Sequence, residues 1–392
     1  MKKRLFSMAL ALCLLLSAAL SARAEDTTYQ TLKKGDKGEA VLQLKHRMYE
    51  LGYFTTANYS NEFNDVTVKR LKELQQKNGL TQDGVATPEV QALIFSDDCI
   101  PKSGPAKAKS DAEGAPAATA ADGLGDFSEK FADKFLPEGE APILGELSYQ
   151  SHDVYIQITS SRQNKSDVYV ADIYVRNMSV LRRGFEGGEW KGTRQNMAKV
   201  MEMSLTYDAI LALTGDNAHN EKNSIVYENG VQRRANKPNR QLCVIFNDGE
   251  MRTYKSSEVT AKMLENTGKG VWQTFMFGPG LLDESGHAYK SYKSKVGTAN
   301  PRAAIGYFEP GHYCLIQVDG RGVKSLLEPS VRSVGMTLKE LADFTESLGC
   351  RVAYNLDGGQ SAMMWFNDRV ISNPYKGGRG CGDIVYIPRT AK

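Results

Sequence analysis

The chain is 392 residues long, 41% hydrophobic and 24% charged, ordinary globular values in a length too great for one core. Its formal net charge of +3 arises at the N-terminus, where the first 24 residues hold Lys2, Lys3, Arg4 and Arg23 and no acid, so +3 becomes −1 once they are set aside. Without a basic footprint, nucleic acid is excluded as a partner.

"MKKRLF" is a basic n-region, "SMALALCLLLSAAL" an apolar h-region and Ala22–Ala24 a small-x-small cleavage site. Residues 1–24 are therefore expected to be a signal peptide and the mature protein secreted, extracellular or in the cell wall. Leu12, where a lipoprotein site needs a small residue, argues against processing at Cys13. No later apolar run is long enough to span a membrane.

Residues 31–98 predict three helices. In "GEAVLQLKHRMYELGYF", Val41, Leu44, Met48 and Leu51 share one helix face, and Gly52 ends it. "DVTVKRLKELQQKNGL" repeats the pattern with Val68, Leu71, Leu74 and Gln75. In "TQDGVATPEVQALIF", Asp83-Gly84 is a turn, Thr87 an N-cap and Pro88 the first helical residue, with Val90, Leu93 and Ile94 on the apolar face. This segment resembles the peptidoglycan-binding module of secreted wall enzymes, with Leu74-Gln75 in place of the usual Phe-Gln. The resemblance implies peptidoglycan as a partner.

Residues 99–124, "PKSGPAKAKSDAEGAPAATAADGL" and its flanks, hold almost no large apolar residue and are expected to be a flexible linker. Residues 125–392 then form a larger domain. "FSEKFADKF" predicts a short amphipathic helix; "HDVYIQITSS", "SDVYVADIYVRNM", "QLCVIFND" and "YCLIQVDG" predict half-buried strands. "TLKELADFTESLG" predicts a helix with Thr337 as N-cap, Glu340 completing a capping box and Gly349 as stop; it leads into the strand "CRVAYNLDGG". Strands and helices without regular alternation give an α+β fold class: a three-helix domain, a linker and a larger mixed α/β-sheet domain. Five cysteines follow the leader, none in a CxxC, and are read as buried small hydrophobes.

Three strands of the larger domain end in an acid and a glycine: Gly215-Asp216, Asp319-Gly320 and Asp357-Gly358-Gly359. One such pair is ordinary turn chemistry, as in Asp248-Gly249, read here as a hairpin without function. Three together place carboxylates at one set of strand ends, where rigid elements present side chains to a cleft. Arg321, Arg302 and Arg379 lie in similar glycine-adjacent settings and offer planar forks for phosphate.

The blocks "AILALTGDNAHNEKNSIVYENGVQRR", "FMFGPGLLDESG", "PRAAIGYF", "CLIQVDGRG", "SVGMTLKELADFTESLGCRVAYNLDGGQSAMMWF" and "GGRGCGDIVYI" resemble the phosphodiester glycosidase family. Thr214, Asn217 and Gln360 stand where that family commonly has Asn, an aromatic residue and a third glycine. The resemblance implies hydrolysis of a sugar-1-phosphodiester, of the N-acetylglucosamine-1-phosphodiester kind, at the anomeric carbon. It assigns Asp357 as nucleophile or base, with Asp319 or Asp216 as second carboxylate. Arg302, Arg321 and Arg379 are given the phosphate, and Gly358, Gly359 and Ser361 the close approach to substrate. No cofactor is implied with certainty; a Ca2+ ion beside the acids is left open. The alternative is a non-catalytic wall-glycan-binding protein on the same fold.

Other wall hydrolases fit less well. "GGRGCGDIV" lacks a nearby histidine to activate Cys381, and the five histidines form no HxxxH or HExxH pair for zinc. His219, near Asp216, is read as a surface-loop residue, with a place lining the site as the alternative.

Overall fold

A computed structural model of the protein describes residues 29–54, 61–96, 98–102, 123–292 and 294–389. The expected signal peptide and most of the expected linker lie outside these residues. The chain divides into two compact units, Met1–Gly104 and Pro105–Lys392. No helix among the described residues is long and apolar enough to cross a membrane.

The first unit holds helices Glu39–Glu50, Asp65–Lys77 and Pro88–Phe95. Gly52 ends the first in the left-handed region, at φ 80°, which a side chain would oppose. The Thr87 hydroxyl caps the third by accepting from Val90 N–H, with Pro88 at its first turn. On the second helix the buried stripe is Val66, Arg70, Leu71 and Leu74, while Val68 is half-buried. Buried Gln75 clips the Asp83-Gly84 turn: its amide donates to Asp83 Oδ1 and Val85 O and accepts from Gly84 N–H. The unit extends past residue 98, because Cys99 is buried and Lys102 N–H donates to Leu51 O. The expected linker therefore begins too early; its first residues pack on the helices.

The second unit is built on an antiparallel seven-stranded sheet. Its strand order is Ile143–Leu144, Ser148–Gln150, Val154–Gln163, Ser166–Val175, His312–Val318, Arg302–Glu309, Val352–Asn355. A five-stranded antiparallel sheet runs Arg369–Val370, Met364–Phe366, Ala209–Thr214, Asp383–Pro388, Arg182–Phe185. One core joins their facing sides, with Ile173, Leu315 and Tyr354 from the first sheet and Leu211, Met364 and Val385 from the second. Alternation along each strand explains the layering. Tyr313 and Leu315 face that core; Cys314, Ile316 and Val318 face the opposite side, where Leu338, Leu341 and Ala342 cover them. Burying each such leucine contributes about 1.5–3 kcal/mol. A third sheet pairs Leu242–Phe246 with Met251–Tyr254 through the Asp248-Gly249 hairpin, and with Val271–Phe275.

One expected helix is not formed. Around "FSEKFADKF" the backbone makes turns and a single 3-10 turn at Ala132–Lys134. Phe127, Phe131 and Phe135 are all buried, so the periodicity reported burial. The segment is too short to sustain a helix on its own.

The covering helix is Leu338–Ser347. Its Thr337 hydroxyl accepts from Glu340 N–H, and the Glu340 carboxylate accepts in return from Thr337 N–H. Thr337→Ala removes this capping box and is expected to destabilise the second unit by about 1 kcal/mol; a thermal melt showing no loss would contradict the assignment.

Candidate active site

Three strand ends deliver the three acid-glycine pairs, and each acid has a different occupation. Asp357 lies just beyond Val352–Asn355. Its N–H donates to Gly215 O at 3.0 Å, tying the two sheets at this point. The turn after it is close-packed: Gly359 N–H donates to Pro301 O, and a Cβ at Gly358 would stand 2.7 Å from that oxygen. Gly359 itself has φ 65°. Both glycines pack their backbone against the chain's own Pro301.

The Asp357 carboxyl lies 3.7 Å from Arg379 Nη2, and the same Nη2 donates to the Ser361 hydroxyl at 2.8 Å. Burial pushes Asp357 up to about 6; the Ser361 hydroxyl and the Arg379 charge oppose this, and Asp216 adds to it. Arg379 is largely exposed, with Nη2 of its fork turned in to Ser361 beside a buried carboxyl. Arg321 flanks the same turn, and a Cβ at Gly359 would stand 3.0 Å from its Nη2. Arg321 holds φ 58°, uncommon for a residue with a side chain. Its guanidinium sits 5.5 Å from the centre of the Tyr375 ring, and Lys376 Nζ lies 5.4 Å from the same centre. Among the described residues neither Arg321 nor Lys376 forms a carboxylate ion pair. Tyr375 and Lys376 carry no sequence signal beyond their nearness to "GGRG".

Asp216 is placed otherwise. Its two oxygens accept from Met276 N–H at 2.8 Å and Phe277 N–H at 2.6 Å. It anchors that turn and is almost fully buried. Beneath it Arg183 is fully buried, donating to Asp383 Oδ2 at 2.7 Å and Thr274 O at 2.6 Å, with Nη2 at 3.6 Å from Asp216 Oδ2. Burial pushes the Asp383 carboxyl up, against the pull of Arg183. Neither Arg183 nor Asp383 stands out in the sequence. Arg183 reads there as one of two adjacent surface charges; the only hint is its place in a strand whose next residues are buried.

Asp319 accepts from Asn373 N–H at 2.9 Å, while its other oxygen is buried without a partner. Burial pushes it up to about 7, and Asp167 adds to the shift. Asp319 therefore holds the loop that carries Tyr375, Lys376 and Arg379.

Arg302 does not fit the expected phosphate role. Its Nε donates to Met336 O at 2.8 Å and its Nη2 to Val296 O and Thr298 O. Buried among carbonyls, it braces the chain before the helix at Leu338. His219 corrects a second expectation: it is buried, not a surface-loop residue. Burial lowers its pKa, Asp216 opposes, and Arg183 and Arg379 add to the lowering. It is a neutral imidazole near neutral pH.

Residues 207–387 match the family model for phosphodiester glycosidase, and residues 37–94 match that for a peptidoglycan binding domain. The large unit carries a phosphodiester glycosidase domain. An SPbeta prophage-derived uncharacterized protein of Bacillus subtilis is 34% identical over 135 residues, 34% of this chain and 19% of that protein; the chain thus spans about a fifth of that relative. Solved structures similar to the chain include the following two. The zebrafish N-acetylglucosamine-1-phosphodiester alpha-N-acetylglucosaminidase catalytic domain, auto-inhibited by its pro-peptide, has 18% identity and a TM-score of 0.48, covering 61% of this chain and 83% of that one. A protein from Synechocystis has 12% identity and a TM-score of 0.45, covering 64% of each.

Within the phosphodiester glycosidase domain, the three departures from the family pattern have structural readings. The Thr214 hydroxyl donates to Ser361 O at 2.7 Å and accepts from Met363 N–H at 3.0 Å, so it holds the turn after Asp357. Asn217 accepts from the Asn220 amide. Gln360 has no positive φ, so its backbone does not require glycine, and its carbonyl accepts from Arg379 N–H. Among the described residues no group of three or more His, Cys, Asp or Glu is placed to hold a metal ion.

The Asp319 environment makes a sign-defined prediction. Its folded pKa of about 7 lies above the ordinary carboxyl value of 3.8, so the unfolded chain releases this proton first as pH rises. Stability falls between pH 4 and 7, and the full cost is present above 7. Asp319→Asn removes a penalty of up to roughly 4 kcal/mol at pH 8 and little at pH 4. Denaturant melts at both pH values check this; equal effects at both would contradict it.

Proposed function

We propose that the large domain hydrolyses a sugar-1-phosphodiester at the anomeric carbon, releasing free sugar and a phosphate monoester. A sugar of the N-acetylglucosamine kind is the substrate this reading favours. We further propose that the protein acts outside the cytoplasm, at the cell wall, with peptidoglycan held by the small domain. The leader-like composition of residues 1–24 and the peptidoglycan binding domain match support that placement.

The observation that carries the reading is the Asp357 carboxyl, raised to about 6 beside an exposed Arg379 and a glycine turn that Arg321 flanks. The chemistry asks for this arrangement. When the C1–O bond to phosphate breaks, its electrons go to a phosphate oxygen. The second pKa of a monoester is about 6, so this leaving group needs cationic stabilisation more than a strong proton donor. Arg379, Arg321 and Lys376 supply that charge. Asp357 meets the oxocarbenium-like centre, as nucleophile or as base to water. Asp216 and Asp319 act at one remove: Asp216 gives both oxygens and Asp319 one to backbone N–H groups, and so each fixes a wall of the site. His219, neutral, lines the Asp216 side without adding a charge.

Release of free sugar from an N-acetylglucosamine-1-phosphodiester reporter tests the reading. Binding of the reporter without release would favour the glycan-binding alternative. Asp357→Asn is expected to lower kcat by roughly 10²–10⁴-fold with the fold intact by circular dichroism; full activity would overturn the assignment. The acid limb of kcat/KM is expected to inflect near pH 6, because activity needs the ionised carboxyl. Arg379 lowers that pKa, so Arg379→Ala should move the inflection to higher pH as well as weaken substrate binding. An unmoved inflection would remove Asp357 from the acid limb.

A further inference from the structure

We infer that Cys314 and Cys350 are a disulfide site that staples together the two strands feeding the candidate active site. The thiols lie 36 residues apart in sequence, yet their sulfurs stand 3.8 Å from each other. Both are buried. Cys314 lies in the strand His312–Val318, directly opposite Gly306 on the adjacent strand. Cys350 precedes Val352–Asn355, which pairs with the other side of that same adjacent strand. Gly306 is what lets the sulfurs meet. A Cβ there would stand 2.6 Å from Cys314 Sγ and 2.7 Å from Cys350 Sγ, so both sulfurs converge on the space one methyl would fill.

The positions matter because both strands run directly into the site. One continues into Asp319-Gly320-Arg321, the other into Asp357-Gly358-Gly359. A bond between Cys314 and Cys350 fixes the register of these two strands across the one between them. It also ties them to the helix Leu338–Ser347, whose end Cys350 N–H caps by donating to Thr345 O. A disulfide needs its sulfurs at about 2.0–2.1 Å, so forming the bond draws the two sulfurs together from 3.8 Å.

The step balances with a disulfide oxidant. One cysteine thiolate attacks the oxidant, forming a mixed disulfide and expelling one thiolate. The second cysteine then attacks the protein sulfur, forming Cys314–Cys350 and expelling the other thiolate. Two protein thiols are oxidised and one small-molecule disulfide is reduced to two thiols. Because both sulfurs end buried, exchange takes place during folding, before the helix closes over the sheet. Cys243 and Cys381 of the same unit are buried elsewhere, in the core and beside Ala198, and stay reduced.

The full chain, refolded with oxidised glutathione and then denatured in excess alkylating agent, provides the test. The expected product carries one cross-linked peptide pair containing Cys314 and Cys350, two hydrogens lighter than the reduced pair, with Cys13, Cys99, Cys243 and Cys381 alkylated. Prior reduction should leave all six alkylated. Recovery of alkylated Cys314 and Cys350 after oxidative refolding overturns the inference, as does a cross-link to any other cysteine. In Cys314→Ala, refolded the same way, Cys350 should appear alkylated; its capture by Cys243 or Cys381 would overturn the pairing.

Discussion

The site depends on one buried charge arrangement, Arg183 with Asp383 and Asp216. A guanidinium wholly removed from water needs compensation on every side. Here it receives the Asp383 carboxylate, the Thr274 carbonyl and the faces of Phe185 and Phe275. Asp383 in turn accepts from Asp216 N–H, and its own carbonyl accepts from Gly215 N–H. That fixes the strand end from which Gly215 O receives Asp357 N–H. The network reaches from the five-stranded sheet, through one short backbone segment, to the carboxyl that carries the proposed chemistry. Gly215 has no room for a side chain, because a Cβ would meet the Asp383 carboxylate.

The same network sets electrostatics at a distance. Asp216 raises Asp357, while Arg379 lowers it from the solvent side. Asp216 beneath thus favours the protonated carboxyl and the exposed arginine favours the ionised one. Desolvation is the largest single effect. A carboxyl balanced in this way changes charge close to neutral pH, where a base or nucleophile is most useful. The cations at the rim face the opposite constraint. Arg321, Lys376 and Arg379 are accessible, so their fields are screened by water until a substrate displaces it.

Legibility in the sequence divides along physical lines. Local chemistry is legible. Thr87, Thr337 with Glu340, Gly52 and Asp248-Gly249 act as their neighbours predict, because caps and turns involve groups within four residues. Period-two patterns locate the long strands for the same reason. The helix expected at "FSEKFADKF" fails because three phenylalanines at helical spacing report a buried face and say nothing of whether enough backbone hydrogen bonds form. At the site, Asp357 lies beside Arg379 and Ser361. Arg183 and Asp383 are invisible there, since what distinguishes them is 200 residues of separation closed by a 2.7 Å contact. Arg302 misleads for the converse reason. A glycine-rich setting in sequence does not reveal that three carbonyls converge on the guanidinium.

The distinction between Asp357 and its two fellows comes from the partners each oxygen accepts. Asp216 has given both oxygens to backbone N–H groups of a turn, and Asp319 has given one to the loop that bears the cations. Asp216 would have to break a structural hydrogen bond to react, at a cost of about 1–3 kcal/mol for the orphaned N–H, and the remaining oxygen of Asp319 is buried without a partner. Asp357 bonds chiefly to the Ser361 hydroxyl, with a smaller share from Gly358 N–H, and lies near an exposed arginine; the hydroxyl and the arginine are side chains that can reorient around a ligand. Three acids of one sequence pattern therefore divide into two that build the walls and one left free to act between them. Thr214 and Gln360 are consistent with that division: the first holds the turn by its hydroxyl, and the second holds Arg379 by its carbonyl, so neither departure from the family pattern disturbs the carboxyl itself.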